Sequence, residues 1–329
     1  MQIFVTGGAG FIGGHLAEQF LRDGHDVVVL DQMHPYYDLG IKRQTIELCK
    51  EISKQNESSY KFIQGDIRDS DLVTDLVNEA EYVFHQAGRA GVRDSVSEPR
   101  IYDEVNVGGT LNILEAARNT DIKRIVMASS SSVYGGNQEY LPFQETDPTQ
   151  PISPYGVSKL SAERYLCSYN NVYDLPTVAL RYFTVYGPRM RPNMAISNFV
   201  FRCMNEESPI IYGDGSQTRD LTYVDDIVKA NQALLQTNAA DGEAVNIGSS
   251  DNIEIQTLAK LIRDNIQPDL SLEFADRFEA DADHTHADIT KARNLLGYDP
   301  EYSIQEGVQK FIDWYTTNRG EYEPFVRSS

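Results

Sequence analysis

The chain has 329 residues, with 29 lysines and arginines against 49 aspartates and glutamates and a formal net charge of −20, an imbalance that excludes the basic face needed to grip nucleic acid or an anionic membrane. Hydrophobic residues make up 41% and charged residues 24%, which excludes extended disorder and leaves room for a large domain with a smaller lobe. Cys49, Cys167 and Cys203 are odd in number and far apart, so neither a disulfide framework nor a zinc knuckle is expected.

Met1-Gln2 runs straight into Ile3-Phe4-Val5-Thr6 without the basic and apolar stretches of a secretory leader, and no segment is long enough to span a bilayer, so a cytoplasmic protein is expected. Ile3 to Thr6 reads as a buried strand. It leads into Gly7-Gly8-Ala9-Gly10-Phe11-Ile12-Gly13 and a helical pattern through Leu21. Glycines Gly7, Gly10 and Gly13 between strand and helix let backbone amides approach a pyrophosphate. Asp26 to Leu30 is a second buried strand, closed by Asp31. A carboxylate there accepts from the adenosine ribose hydroxyls and repels a 2′-phosphate, which predicts NAD rather than NADP. On the alternative reading Asp31 only caps the strand.

A helix is expected from Ile41 to Ser53, then a strand from Tyr60 to Ile63 closed by Gln64-Gly65-Asp66-Ile67-Arg68-Asp69. The next strand, Glu81 to His85, is followed by Gln86-Ala87-Gly88, small residues that let a cofactor lie close. Strands at Lys123 to Ala128 and Pro176 to Leu180 alternate with helical patterns at Pro99 to Arg118 and Pro154 to Tyr169. The alternation predicts an α/β fold with a Rossmann-type, doubly wound parallel sheet. Ligands of such sheets lie beyond the carboxyl ends of the strands, where Gly7 to Gly13, Asp31, Asp66, Ala87 and Ser130 fall. After Arg181 the alternation stops and segments rich in Pro, Gly and Tyr appear. The expected division is residues 1–182, with about 225–248, as the NAD-binding domain, and 183–224 with 249–329 as a smaller substrate lobe. Asp281, Asp283, His284, His286 and Asp288 match no metal spacing, so a solvated loop and no metal are expected.

Ser153-Pro154-Tyr155-Gly156-Val157-Ser158-Lys159 follows a serine run, Ser129 to Ser132. Ser153 suits an N-cap and Pro154 the first helical position, which puts Tyr155 in the first turn with Lys159 on the same face. The positive end of the helix dipole and a neighbouring ammonium both favour phenolate, so Tyr155 is expected to have a lowered pKa and to act as a general base. The alternative is a surface helix that happens to carry both residues.

With TGGAGFIG, an acidic close to the second strand, the serine run before Val133-Tyr134-Gly135, and YGVSK in that order, the chain resembles the extended short-chain dehydrogenase/reductases, specifically the NAD-dependent nucleotide-sugar epimerases and dehydratases, from Met1 to the region of Trp314. The resemblance implies a catalytic set of Ser130, Tyr155 and Lys159. It also implies that Phe11, Ile12, Asp66, Ile67, Asn106 and Tyr182 contact the cofactor, that Arg219 holds the nucleotide diphosphate, and that the protein is a homodimer. Arg277 stands one residue away from the arginine that many relatives carry before the loop near Asp281.

The departures from the family pattern narrow the reaction. Sugar 4,6-dehydratases carry Asp-Glu after the catalytic Ser or Thr, and the decarboxylases a Glu at the place of Ser132, whereas Ser131-Ser132 stand here. What remains is inversion at C4 through a 4-keto intermediate. His34 to Lys42, with its Tyr36-Tyr37-Asp38 and Leu39, and Ala90-Gly91-Val92-Arg93 are similar to segments of the UDP-glucuronate 4-epimerases, as is Arg191-Pro192-Asn193-Met194-Ala195. Arg191 suits a planar C6 carboxylate, with hydroxyls of Thr184 and Ser132 beside it. UDP-glucuronate and UDP-galacturonate are therefore the expected pair. The alternative is UDP-glucose and UDP-galactose, with Arg191 facing diphosphate or solvent, and the competing class is a non-catalytic NAD sensor.

Overall fold

Seven strands, β1 Gln2–Thr6, β2 Asp26–Asp31, β3 Tyr60–Gln64, β4 Tyr82–His85, β5 Arg124–Ser130, β6 Thr177–Tyr182 and β7 Ala244–Ile247, form one parallel sheet in the computed structural model, which describes residues 1–277 and 282–328. Their order is β7-β6-β5-β4-β1-β2-β3. The strands read as near-continuous apolar runs because helices cover both faces; every residue of β5 and β6 is buried. The direction of winding reverses between β1 and β4, where a crevice opens at the carboxyl ends. Register puts Thr6 opposite both Leu30 and His85, and Ser130 opposite Tyr182, so these residues share one edge of the sheet.

The helices that matter for the crevice are α1 Phe11–Arg22, α2 Leu39–Gln55, α3 Gly109–Ala117 and α4 Pro154–Tyr173. Helix α2 starts at Leu39 because the Asp38 carboxylate accepts from Gly40 N at 2.7 Å, an N-cap. The single helix expected from Pro99 is interrupted: Pro99–Tyr102 gives way to a wider π turn, Asp103–Gly108, before α3 begins. Such turns are uncommon and concentrate at functional sites.

Beyond β6 the chain builds a second apolar cluster around Ile196, Phe199, Leu258, Ile262 and Phe311. Its helices are α5 Ala195–Met204, α6 Ile255–Ile266 and α7 Ile304–Ser328. Two short parallel strands, Thr184–Tyr186 and Leu221–Tyr223, pair beside it. Helix α7 reaches back toward the crevice: the Tyr322 hydroxyl donates to Met190 O at 2.7 Å, and a Cβ on Gly40 would fall within the Phe325 ring. Among the described residues no helix is long and apolar enough to cross a membrane.

Candidate active site

The loop after β1 is shaped by what a side chain would hit. Gly7 has φ +69°, and a Cβ on it would lie 2.7 Å from Ala87 N in the loop after β4. Only glycine adopts that backbone and allows that approach without strain. Gly10 N donates to Gly7 O at 3.0 Å, and α1 starts at Phe11 without a side-chain cap, which leaves the first-turn amides of Phe11, Ile12 and Gly13 as an anion cradle. At the end of β2, the buried Asp31 carboxylate accepts from Met33 N at 2.8 Å and from Lys42 Nζ at 2.9 Å. Asp66 accepts from Gln32 Nε2 at 2.6 Å and from Arg68. Its neighbour Ile67 packs against Gly109, at the first position of α3. A Cβ on Gly88 would lie 2.9 Å from Asn106 Oδ1 and 3.1 Å from Lys159 Nζ, so the loop after β4 runs tightly between these two side chains. A glycine-lined cradle, open helix amides and an acidic strand end fit a dinucleotide without a 2′-phosphate.

The helix that carries Tyr155 and Lys159 is seated by its first turn. Ser153 Oγ accepts from Gly156 N at 3.1 Å, with Pro154 in the opening turn. A Cβ on Gly156 would lie 2.6 Å from Ser132 O, so a glycine there lets α4 dock on the turn Ser131–Val133. Ser130 Oγ accepts from Ser132 N at 3.1 Å and lies close enough to the Tyr155 phenol to lower its pKa. Tyr102 meets Tyr155 edge-on at 6.2 Å. The expected lowering of the Tyr155 pKa is overturned: burial pushes the phenol above its ordinary value, while the Ser130 hydrogen bond and the Arg191 charge pull it back. Lys159 donates to Ala128 O at 2.9 Å, and burial lowers its own pKa to about 8. Desolvation in apolar surroundings disfavours the charged form of both groups.

Under this pair lies a buried ion pair that the motifs do not announce. Arg181 donates to Glu163 through Nε at 3.0 Å and Nη2 at 2.6 Å, and through Nη1 to the Tyr134 hydroxyl at 2.7 Å. Ser129 Oγ donates to Glu163 Oε2 at 2.8 Å. Glu163 stands one helical turn beyond Lys159, and Ser129 immediately precedes Ser130. The network therefore ties α4 to β5 and β6. The Tyr182 hydroxyl, at the end of β6, pairs with Asn231.

On the other side of the crevice, the Arg191 guanidinium lies 5.4 Å over the Tyr36 ring, with Nη1 at 3.3 Å from the Tyr36 hydroxyl. That hydroxyl donates to Asp94 at 2.5 Å. Arg191 is close enough to act on the Tyr155 phenol. Thr184 is half-buried, two residues beyond Tyr182, and Ser132 lies in the turn under α4. Arg219 and Arg277 form a separate cluster: Arg219 Nη1 donates to Asp283 O at 3.1 Å, and Arg277 pairs with the Asp283 carboxylate. His284 Nδ1 lies 2.9 Å from Thr218 Oγ1, and Asp288 binds Gln144 and Thr290. Asp281 lies outside the described residues, among which no group of side chains is gathered to hold a metal.

The segment from His34 to Lys42 reads from sequence only as a likeness to the UDP-glucuronate 4-epimerases, with no role given to Tyr36 or Lys42. Lys42 follows the Asp38 cap by one turn, the only local sign that it faces back toward β2.

The family model described as GDP-mannose 4,6 dehydratase matches residues 4–311. A UDP-glucuronate 4-epimerase of Thermodesulfobacterium geofontis is 37% identical over 95% of this chain and 96% of its own length. The crystal structure of a UDP-glucuronic acid 4-epimerase from Bacillus cereus in complex with UDP-glucuronic acid and NAD superposes with a TM-score of 0.90 at 34% identity, covering 96% of this chain and 99% of the other. A UDP-glucose 4-epimerase from Thermotoga maritima, solved with UDP-glucose, gives 0.87 at 32% identity over 97% and 100% of the two chains.

Proposed function

The chain belongs to the extended short-chain dehydrogenase/reductase family of nucleotide-sugar enzymes, and we propose that within it the protein is an NAD-dependent UDP-sugar 4-epimerase that interconverts UDP-glucuronate and UDP-galacturonate. One observation carries the reading: Tyr155 lies beside Ser130 with Lys159 one turn on, while Ser131 and Ser132 supply no carboxylate for elimination or decarboxylation.

The residues divide the work as follows. Gly7, Gly10, Phe11, Ile12 and Gly13 cradle the pyrophosphate, Asp31 takes the adenosine ribose, and Asp66, Ile67, Ala87, Asn106 and Tyr182 line the rest of the cofactor groove. NAD, when bound, supplies the hydride acceptor for C4. Tyr155 takes the proton of the 4-hydroxyl, and Ser130 bridges that hydroxyl and the phenol. Because burial raises the phenol, the phenolate depends on Ser130 and on positive charge from Arg191. Once the 4-keto sugar has turned its other face, Tyr155 returns the proton. The lobe of residues 183–224 and 249–329 holds the nucleotide sugar, with Arg219 and Arg277 on its diphosphate.

Arg191 decides the substrate. Its planar fork binds a C6 carboxylate bidentately, with Thr184 and Ser132 adding hydroxyls. A C6 hydroxymethyl leaves the fork without its partner, at a cost of about 1 to 3 kcal/mol in a dry site. The test compares kcat/KM for UDP-glucuronate and UDP-glucose, then repeats both with Arg191→Ala. UDP-glucuronate should be preferred, and the substitution should weaken it selectively. A preference for UDP-glucose, or equal weakening, would hand the site to the hexose epimerase reading. Exposed Val96, Ile152, Val157 and Val172 beside the segment Pro99 to Arg118 and on or beside α4 support a homodimer paired through these two segments; a monomer mass by light scattering at micromolar concentration would exclude the pairing.

A further inference from the structure

The proposed chemistry leaves one buried histidine without a task. His85 ends β4, opposite Thr6 in register, and is 2% exposed. Its Nδ1 lies 2.7 Å from Thr6 Oγ1 and its Nε2 3.0 Å from Thr110 Oγ1. Thr110 Oγ1 is 2.6 Å from Asn106 O. A carbonyl can only accept, so the Thr110 proton is committed to Asn106 and the histidine must donate from Nε2. Burial and the Lys159 charge lower the imidazole to a pKa of about 3, which keeps it neutral. Nδ1 is then an acceptor for the Thr6 hydroxyl, and Thr6 Oγ1 in turn accepts from Ala87 N at 3.1 Å.

Donors and acceptors are thereby fixed from the loop after β4 to the π turn Asp103–Gly108. Asn106 carries the connection further. Its Oδ1 accepts from Arg89 N at 2.7 Å, and its Nδ2 donates to Ser158 Oγ at 2.9 Å. Ser158 adjoins Lys159 and lies one turn from the start of α4. A path of hydrogen bonds therefore joins Ala87, which lies against Gly7, to the helix that carries Tyr155 and Lys159.

We propose that His85 is a positioning residue: with Thr6 and Thr110 it sets the spacing between the dinucleotide cradle and the catalytic helix. The proposal rests on the epimerase reading, because a base and a hydride acceptor must reach the same carbon together. Misplacement of either by about 1 Å costs on the order of 100-fold in rate.

Thr110→Val removes both the donor to Asn106 and the acceptor for His85 while keeping the volume, and Thr110→Ser restores both. Thr45→Val is the control, since the buried Thr45 hydroxyl also donates to a carbonyl four residues back, Ile41 O at 3.2 Å, but on α2. The NAD-loaded proteins are compared for kcat and KM with UDP-glucuronate, and for amide hydrogen exchange in residues 103–110 and 155–159. Thr110→Val should lower kcat about 10- to 100-fold with KM little changed and should lose protection in both segments. Thr110→Ser should recover most of the loss, and Thr45→Val should behave as wild type. Should Thr110→Val not fold, His85→Gln, which keeps a donor for Thr110 and drops the acceptor for Thr6, is scored by the same readings. Unchanged kcat, protection retained in 155–159, or an equal loss in Thr45→Val would overturn the proposal. If the wild type turns over neither UDP-glucuronate nor UDP-glucose, the epimerase reading has failed instead, and the exchange data alone decide the positioning role.

Discussion

Glu163→Gln tests how much the fold depends on the ion pair beneath α4. Arg181 and Glu163 have side-chain exposures of 1% and 0%, and the carboxylate receives three hydrogen bonds, at 2.6 and 3.0 Å from Arg181 and 2.8 Å from Ser129. Glutamine keeps one acceptor and turns an amide donor toward a guanidinium that has only donors. The arginine charge is then left with the Tyr134 hydroxyl and Glu145 O. Breaking a buried pair from one side costs about 3 to 5 kcal/mol, much of it the stranded charge. Set against a total of about 5 to 15 kcal/mol, that is a large share. Arg181→Met should cost a comparable amount, whereas the double variant, with no charge left to strand, should be more stable than the sum of the singles by about 2 to 3 kcal/mol. Urea unfolding at pH 7, followed by far-ultraviolet circular dichroism for all four proteins, measures the cycle. A single-variant loss below about 1 kcal/mol, or strict additivity, would show that the pair is solvated and that the reasoning is wrong.

Tyr155→Phe should leave folding and NAD binding intact and cut turnover at least about 100-fold, the scale of a lost general base; retention of a tenth of the wild-type rate would mean that another group takes the proton. Heat-denatured protein should release NAD with little NADP. In Asp31→Ala the Lys42 ammonium loses its carboxylate and faces the position of a 2′-phosphate, so the ratio should move toward NADP by about tenfold or more, equivalent to about 1.4 kcal/mol; an unchanged ratio would remove Asp31 from cofactor selection. With a folded pKa of about 3 against an ordinary 6.5, His85 binds its proton more readily in the unfolded chain. Its contribution to stability is complete above pH 6.5 and is lost as pH falls toward 3. Unfolding free energy should accordingly fall more steeply for wild type than for His85→Gln, by up to about 1.4 kcal/mol per pH unit between roughly pH 5.5 and 4, and parallel slopes would show that His85 is charged in the fold.

What the sequence discloses here is whatever the chain encodes locally. The i, i+4 spacing of Tyr155 and Lys159, the Ser153 cap and the glycines between β1 and α1 all act within a few residues, and the alternation of strand and helix announces the parallel sheet. The pairs that seat the site are different. Glu163 and Arg181 are 18 residues apart, His85 and Thr6 are 79 apart, and Asn106 and Ser158 are 52 apart. Each partner is an ordinary polar residue until register brings the two together. The pKa of Tyr155 shows the same limit, since the neighbours that favour its phenolate can be read from spacing whereas the desolvation that opposes them belongs to the assembled core. The π turn, too, breaks a segment whose apolar spacing reads as one continuous helix.

The hydrogen bond from Tyr322 to Met190 bears on how the protein is made. Met190 precedes Arg191 in the loop before α5, and its partner leaves the ribosome 132 residues later. The Rossmann strands from β1 to β6 can pair while synthesis continues, and Arg189 can already reach Glu18 on α1, but the tie from Met190 to Tyr322 waits for α7. A nascent chain can thus shape its dinucleotide groove before this loop has its last tie. On the role proposed for Arg191, the order of emergence places formation of the cofactor groove before completion of the substrate site.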